Sequence, residues 1–307
     1  MRVDPKRRAP ASAAQRLSAI LQGLFIAFLW ATSWVLIKFG LEDIPPLVFS
    51  GVRYFLAFLI LLFVFMLTSR RDPARVLPRR LWGRVALFGL LLYTVAQGAM
   101  FVALSYLPAV TLNLILNFNN LGTALLGAIW LSERPSVLQW TGILLALVGA
   151  LVYFLPVNVP QAQWYGIAAA LVCLTANILA VTVGREVNSS RLAPPLLITL
   201  VSMGIGSAAL LAAGLFLEGI PTISLRNAIF ILWLAAVNTA FAFTLWNHTL
   251  RTLTAAESSI CTGTMMIWIP ILAVLFLGET LDAKAIIGLA AVGVGTIVVQ
   301  LRGDAAR

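Results

Sequence analysis

LPAVTLNLILNFNNLGTALLGAIWL, residues 107–131, runs for 25 residues without a charge. An α-helix rises ~1.5 Å per residue, so ~20 apolar residues cross the ~30 Å hydrocarbon layer of a bilayer. The stretch is therefore read as a membrane-spanning helix, opened by Pro108 and closed by Ser132-Glu133-Arg134-Pro135. Working outward from it, proline, glycine and charge cut the chain into ten such segments: 18–39, 46–67, 82–105, 108–131, 137–155, 163–184, 194–217, 227–249, 255–277 and 284–301. In hydrocarbon every backbone amide must be satisfied within its own segment or within a closed barrel, and runs of this length fit helices rather than short alternating strands. With 61% hydrophobic and 10% charged residues and a mean hydropathy of +0.98, the 307 residues form an all-α membrane protein. Ten spans use about 200 residues, leaving room for tails and loops and excluding a large soluble domain.

The net charge of +10 is explained by position rather than by a nucleic-acid partner. Arg2, Lys6, Arg7, Arg8 and Arg16 precede the first segment, and Arg70, Arg71, Arg75, Arg79, Arg80 and Arg84 lie between the second and third. Short loops rich in Lys and Arg mark the cytoplasmic face. With the N-terminus inside, 17 of the 21 basic residues fall on that face, Lys38, Arg226 and Lys284 fall outside, and Arg53 lies within the second segment. Both termini are then cytoplasmic. The first apolar run, about 17–39, is too long for the core of a cleaved signal peptide and reads as a retained span. Cys173 and Cys261 sit singly in apolar runs and call for neither a disulfide nor a metal.

Sliding the chain by 146 positions places Leu104, Leu107, Ala109, Leu126, Leu131, Glu133, Gly142, Val148, Gly149 and Val152 on Leu250, Leu253, Ala255, Leu272, Leu277, Glu279, Gly288, Val294, Gly295 and Val298. Pro45-Pro46 and Pro194-Pro195 open the second helix of each half, where proline is tolerated. Each copy holds five spans, an odd number, so the second must enter the membrane from the opposite side. Two inverted five-helix repeats follow, an architecture in which the substrate site lies near the midplane between the copies. The expected divisions are a tail 1–16, repeats 17–156 and 157–301, and a tail 302–307.

Leu107-Pro108-Ala109, Leu131-Ser132-Glu133-Arg134, Gly142 and Gly149, their second copy in Leu253, Leu277-Gly278-Glu279-Thr280, Gly288 and Gly295, and Leu29-Trp30-Ala31 with Lys38 together resemble the EamA-type branch of the drug/metabolite transporter superfamily. Within it, the general likeness is to bacterial aromatic amino-acid exporters. The resemblance covers nearly the whole chain. It implies ten helices in two inverted five-helix repeats around a central cavity and export of small metabolites. Location in the bacterial inner membrane, no cofactor and a monomeric or weakly oligomeric state are expected alongside.

Counting ~1.5 Å per residue from the nearer face puts Trp30, Gln97, Asn117, Asn120, Asn177, Asn238 and Met265 near mid-depth. Asn113, Asn117 and Asn120 fall at i, i+4 and i+7, on one side of their helix. Amides are costly in hydrocarbon unless they face a partner helix or water. As a group they mark a polar cavity suited to a zwitterion. Taken singly, each can equally be interhelical glue, worth about 0.6 kcal/mol. Trp34, Phe101, Phe241 and Trp268 lie at similar depth, with Phe118 and Met266 beside them, and rings and thioethers accommodate flat or cationic ligands. For each alone, lipid contact or core packing is the simpler reading.

Arg53 has two readings, a partner for a substrate carboxylate or a side chain snorkelling outward, and snorkelling is the simpler. Without a mid-depth Asp or Glu, no proton relay is expected, and export is gradient-driven or weakly coupled. Pro270 is expected to bend the ninth helix, and the small residues Gly142, Ala146, Ala150, Gly288, Ala291 and Gly295 to form packing faces. Aromatic or neutral amino acids lead as substrates, with organic cations as the alternative. A membrane-embedded enzyme would need a nucleophile–base or metal constellation that the single His248 does not supply. No phosphate loop marks an ATP-driven pump, and no charge ring or filter repeat marks a channel.

Overall fold

The computed structural model describes residues 13–68, 77–131, 136–155, 160–189, 192–250, 252–253 and 255–300. The loop arginines Arg70, Arg71 and Arg75, the basic tail residues Arg2, Lys6, Arg7 and Arg8, the Ser132–Pro135 turn and the tail 302–307 lie outside the described residues. Among the described residues the secondary structure is helical, with no strand.

The helices are α1 (Ala13–Gly40), α2 (Pro46–Thr68), α3 (Arg79–Tyr106), α4 (Ala109–Leu131) and α5 (Val137–Phe154) in the first half. In the second half they are α6 (Gln161–Ser189), α7 (Pro195–Glu218), α8 (Leu225–Ala235 continuing to Thr249), α9 (Ala255–Gly263 and Met265–Leu277) and α10 (Ala283–Gln300). Eight stretches along them are long and apolar enough to cross a membrane; α10 is a shorter apolar helix, and α4 runs for 23 residues. Large apolar side chains cover the exterior, Phe216, Ile220 and Leu275 among them. Water would not leave such a surface uncovered, whereas lipid is its natural solvent.

Helix starts follow the prolines and short polar caps. Pro45 and Pro194 precede α2 and α7; Ser136 caps α5 in a reciprocal box with Gln139, and Ser224 accepts from the Asn227 N–H at the start of α8. Gly278 ends α9 at φ +67°, a left-handed position that suits glycine. The interruption of α9 lies at Thr264, where the hydroxyl bonds the Cys261 carbonyl at 2.7 Å, six residues before Pro270. The expected bend at the proline is thus preceded by a break at a threonine. Thr264 competes for a backbone carbonyl of its own turn.

Glycine lets the two halves touch backbone to backbone. A methyl group on Gly142 would sit 2.7 Å from the Gly295 carbonyl oxygen, and one on Gly295 would sit 2.5 Å from that of Gly142. Gly149 and Gly288 repeat the exchange at 2.7 and 2.8 Å. Rising numbers on α5 meet falling numbers on α10, so the pair is antiparallel, and each glycine faces the counterpart of its neighbour in the repeat. α2 and α7 are also antiparallel, with Gly51 against Leu211 and Gly214 against Leu47.

Beyond the helix ends, Asp43 accepts from Asn227 Nδ2 at 2.8 Å and from Arg226 at 3.0 Å. The Asn227 hydrogen bond, with Arg226 adding to it, holds the Asp43 carboxyl below its ordinary pKa. A lowered folded pKa stabilises above the unfolded value and loses that contribution as pH falls through the folded one. Amide exchange in residues 41–44 should therefore speed up as pH drops below about 4 relative to an Asp43→Asn variant, after correction for intrinsic exchange.

Candidate functional site

Two of the helices leave α-helical register at matching places. In α3 a π-helical turn covers Leu90–Ala96, and in α8 another covers Ala236–Phe241. The 146-position shift lays one on the other. A π turn inserts a residue, widens the helix and aims neighbouring side chains at different partners, and such turns recur at functional sites.

In α8 the effect is direct. Asn238, fully buried, donates from Nδ2 to the Leu29 carbonyl and to Thr32 Oγ1 at 3.3 Å, so it faces α1. Its own carbonyl accepts Trp30 Nε1 at 3.2 Å. The next residue, Thr239, faces α2: its hydroxyl donates to the Leu234 carbonyl at 2.8 Å and accepts from Arg53 Nε and Nη2 at 3.4 and 3.3 Å. Arg53 is 4% exposed. It does not snorkel; its guanidinium lies 5.1 Å from the Tyr54 ring centre and 5.9 Å from that of Phe101. In α3 the matching turn carries Tyr93, packed on Tyr54 at 5.7 Å, and Thr94, which donates to the Gly206 carbonyl of α7 at 2.7 Å.

The other amides divide between local and open arrangements. Asn117 Nδ2 donates to the Asn113 carbonyl at 2.8 Å and to Asn113 Oδ1 at 3.3 Å, so these two share a face of α4 as their spacing predicts. Asn113 Nδ2 is buried without a partner among the described residues, as is Asn238 Oδ1. The Asn120 side chain lies outside the described residues. Asn177 bonds back to Cys173 of its own helix at 3.1 Å. Gln97 follows the first π turn, half-buried.

Among the aromatics, Trp30 packs on Phe243 and Trp246 at 5.6 and 5.5 Å, Phe101 on Phe49 at 5.3 Å, and Trp268 on Phe28 at 5.1 Å. Trp34 is buried, Met265 is partly buried against the same core, and Phe241 is 50% exposed on the exterior. The structure thus brings Trp30 to Asn238, Phe101 to Arg53 and Asn113 to Asn117, and leaves Asn177 and Phe241 apart from them. A groove of about 620 Å³ runs between α1, α8 and α9, lined by Phe28, Thr32, Leu36, Trp233 and Phe276 with their neighbours. It is apolar, and none of the twelve residues expected to line a cavity belongs to it.

Three features escaped the sequence reading: the two π turns, Thr239 as the partner of Arg53, and a clasp at the ends of α1 and α9. Lys38 Nζ donates to the Leu104 and Leu107 carbonyls at 2.6 and 2.7 Å. Glu279 accepts the Ala109 and Val110 N–H groups at 2.5 and 3.1 Å. Between them the two side chains hold both sides of the α3–α4 turn. Glu218, closing α7, does the same for Leu47 and Val48 at the start of α2, at 3.1 and 2.9 Å. The signal available was the pairing of Pro-led helix starts with glutamates at helix ends.

The model of the EamA-like transporter family matches twice, at residues 17–155 and 164–301. The chain belongs to the EamA-like transporter family. It is a multi-pass membrane transporter rather than an enzyme. Among its relatives, a "Probable amino-acid metabolite efflux pump" of Escherichia coli (strain K12) is 26% identical over 238 residues, 73% of this chain and 75% of that one. The transporter YoaV of Bacillus subtilis (strain 168) is 22% identical over 86% of this chain and 90% of its own length. With YvbV of the same strain the match is 27% identical over 65% of this chain and spans 63% of that protein. One solved crystal structure shares the fold, with a TM-score of 0.64 at 18% identity, covering 92% of this chain and 96% of the other.

Proposed function

We propose that this EamA transporter exports small amphiphilic metabolites, aromatic or neutral amino acids first among them, by alternating access at a site between its two halves. Ten spans in two inverted repeats with both termini cytoplasmic, in the inner membrane of a bacterium, complete the proposal. What carries it is the doubled family match together with the seams: α5 meets α10 and α2 meets α7 as antiparallel, glycine-lined pairs, one helix from each half. Smooth backbone contacts of this kind permit one half to rock on the other. The name of the Escherichia coli relative supports amino-acid metabolites as the substrate class. Trp30, Trp34, Gln97, Phe101, Asn113, Asn117, Asn120, Asn238, Met265 and Trp268 are the proposed lining, without the expected Asn177 and Phe241, which stand apart from them. Asn113 and Asn238 best support it, since Asn113 Nδ2 and Asn238 Oδ1 are buried without a partner among the described residues.

The test is counterflow in proteoliposomes with radiolabelled Phe, Trp, Thr, Met and an organic dication. Saturable counterflow of Phe or Trp is expected, and unsaturable flux would indicate a channel instead. Alanine at Trp30, Gln97, Asn117 or Trp268 should lower the rate about tenfold, the equivalent of one lost hydrogen bond or ring contact of about 1.4 kcal/mol. Rates unchanged in all four variants would refute the lining.

A further inference from the structure

Arg53 is a buried cation without a counter-anion among the described residues. It carries five N–H donors, and the acceptor it reaches among the described residues is Thr239 Oγ1, shared by two of them at 3.3–3.4 Å. The Tyr54 and Phe101 rings shield it without neutralising it. The carboxylates among the described residues are committed elsewhere, at helix ends. Glu218 and Glu279 cap backbone amides, Glu42 and Asp43 face Arg226, Glu186 faces Arg84, Glu257 faces Arg16, and Asp282 accepts from the Ala285 N–H. Leaving a buried charge unpaired is costly, and the cost is recovered when an anion arrives. The π turn of α8 supports this use of the group, because it spends backbone regularity to aim Thr239 at the guanidinium.

We propose that Arg53 is the docking point for a carboxylate on the transported molecule. Thr239 steadies one edge of the guanidinium, and the free edge takes the carboxylate in a two-pronged pair. Phe101 and Tyr54 flank the site and favour a ring or an aliphatic body next to the charge. The inference rests on the exporter reading and narrows it: amino acids and other amphiphilic carboxylates fit, and organic cations are repelled.

The experiment pairs each carboxylate with its amide, L-phenylalanine with L-phenylalaninamide and benzoate with benzamide, in chloride-free buffer. Melting of the purified full-length protein is followed for wild type, Arg53→Met and Arg53→Lys. The carboxylate of at least one pair should raise the wild-type melting temperature, its amide should not, and Arg53→Met should lose the response. Without ligand, Arg53→Met should melt about 3 °C higher than wild type, since an unpaired charge has gone; a guanidinium serving only as structural glue would make that variant melt lower. Equal responses to acid and amide, no response to any pair, or a chloride response matching the carboxylate's would overturn the assignment. Counterflow is scored separately. Carboxylate-specific stabilisation without counterflow would leave the docking point standing and remove the exporter reading, whereas counterflow of amide and acid alike would do the reverse.

Discussion

Gly89→Ala and Gly206→Ala should each cost on the order of 3 kcal/mol and lower the melting temperature by roughly 10 °C, or prevent the protein from accumulating in the membrane. A methyl group on Gly89 would lie 2.2 Å from the Ser202 carbonyl oxygen, and one on Gly206 would lie 2.2 Å from the Gly89 carbonyl oxygen. Both obstacles are backbone, so no rotamer change relieves them. Separating α3 from α7 would also stretch the bond from Thr94 to the Gly206 carbonyl, which anchors the π turn of α3. Gly83→Ala is the control on the same helix. A methyl there meets nothing within 4 Å, so it should be neutral or stabilise by up to about 1 kcal/mol through helix propensity. Melting curves of the three variants in one detergent decide the matter, and equal curves would show that the α3–α7 seam is slack.

The same seams show what could be read from residues alone. Helix positions were legible because a bilayer imposes one length and one polarity on every span, and the helix starts at Pro46 and Pro195 follow from the proline pairs. The glycines at 142, 149, 288 and 295 were legible as a packing face because they keep register across a 146-residue shift. The π turns were not, since an inserted residue leaves no period and no characteristic composition. Without them, Asn238 and Thr239 look like two adjacent polar residues on diverging faces, and the contact between Arg53 and Thr239 has no trace. Arg53 itself was visible, but snorkelling or burial depends on which helix stands beside it, and that is a tertiary fact. The asparagines were recognised as polar groups at one depth; whether each bonds its own helix, as Asn177 does, or a neighbour, as Asn238 does, depends on rotation about the helix axis, which an even spread of apolar residues leaves undetermined.

Glu279→Ala should destabilise the protein by about 3 kcal/mol, and Glu279→Gln by about half of that, because of what stands at the start of α4. Pro108 has no N–H to offer, the first intrahelical bond runs from the Leu112 N–H to the Pro108 carbonyl, and the Ala109 and Val110 N–H groups are left without intrahelical acceptors. Glu279 accepts both, placing a negative charge at the positive end of the helix. Charge-assisted bonds of this kind are worth about 1.5–3 kcal/mol each, less where solvent reaches them. Glutamine keeps one carbonyl oxygen for one amide and loses the charge. Lys38 completes the clasp by holding the Leu104 and Leu107 carbonyls at the end of α3, so the α3–α4 turn is gripped on its donor side by α9 and on its acceptor side by α1. If the two grips act together, Lys38→Met and Glu279→Gln combined should destabilise by at least about 0.5 kcal/mol less than the sum of the single effects. Additive effects in that cycle would mean two independent caps, and the turn could then open at α1 without disturbing α9.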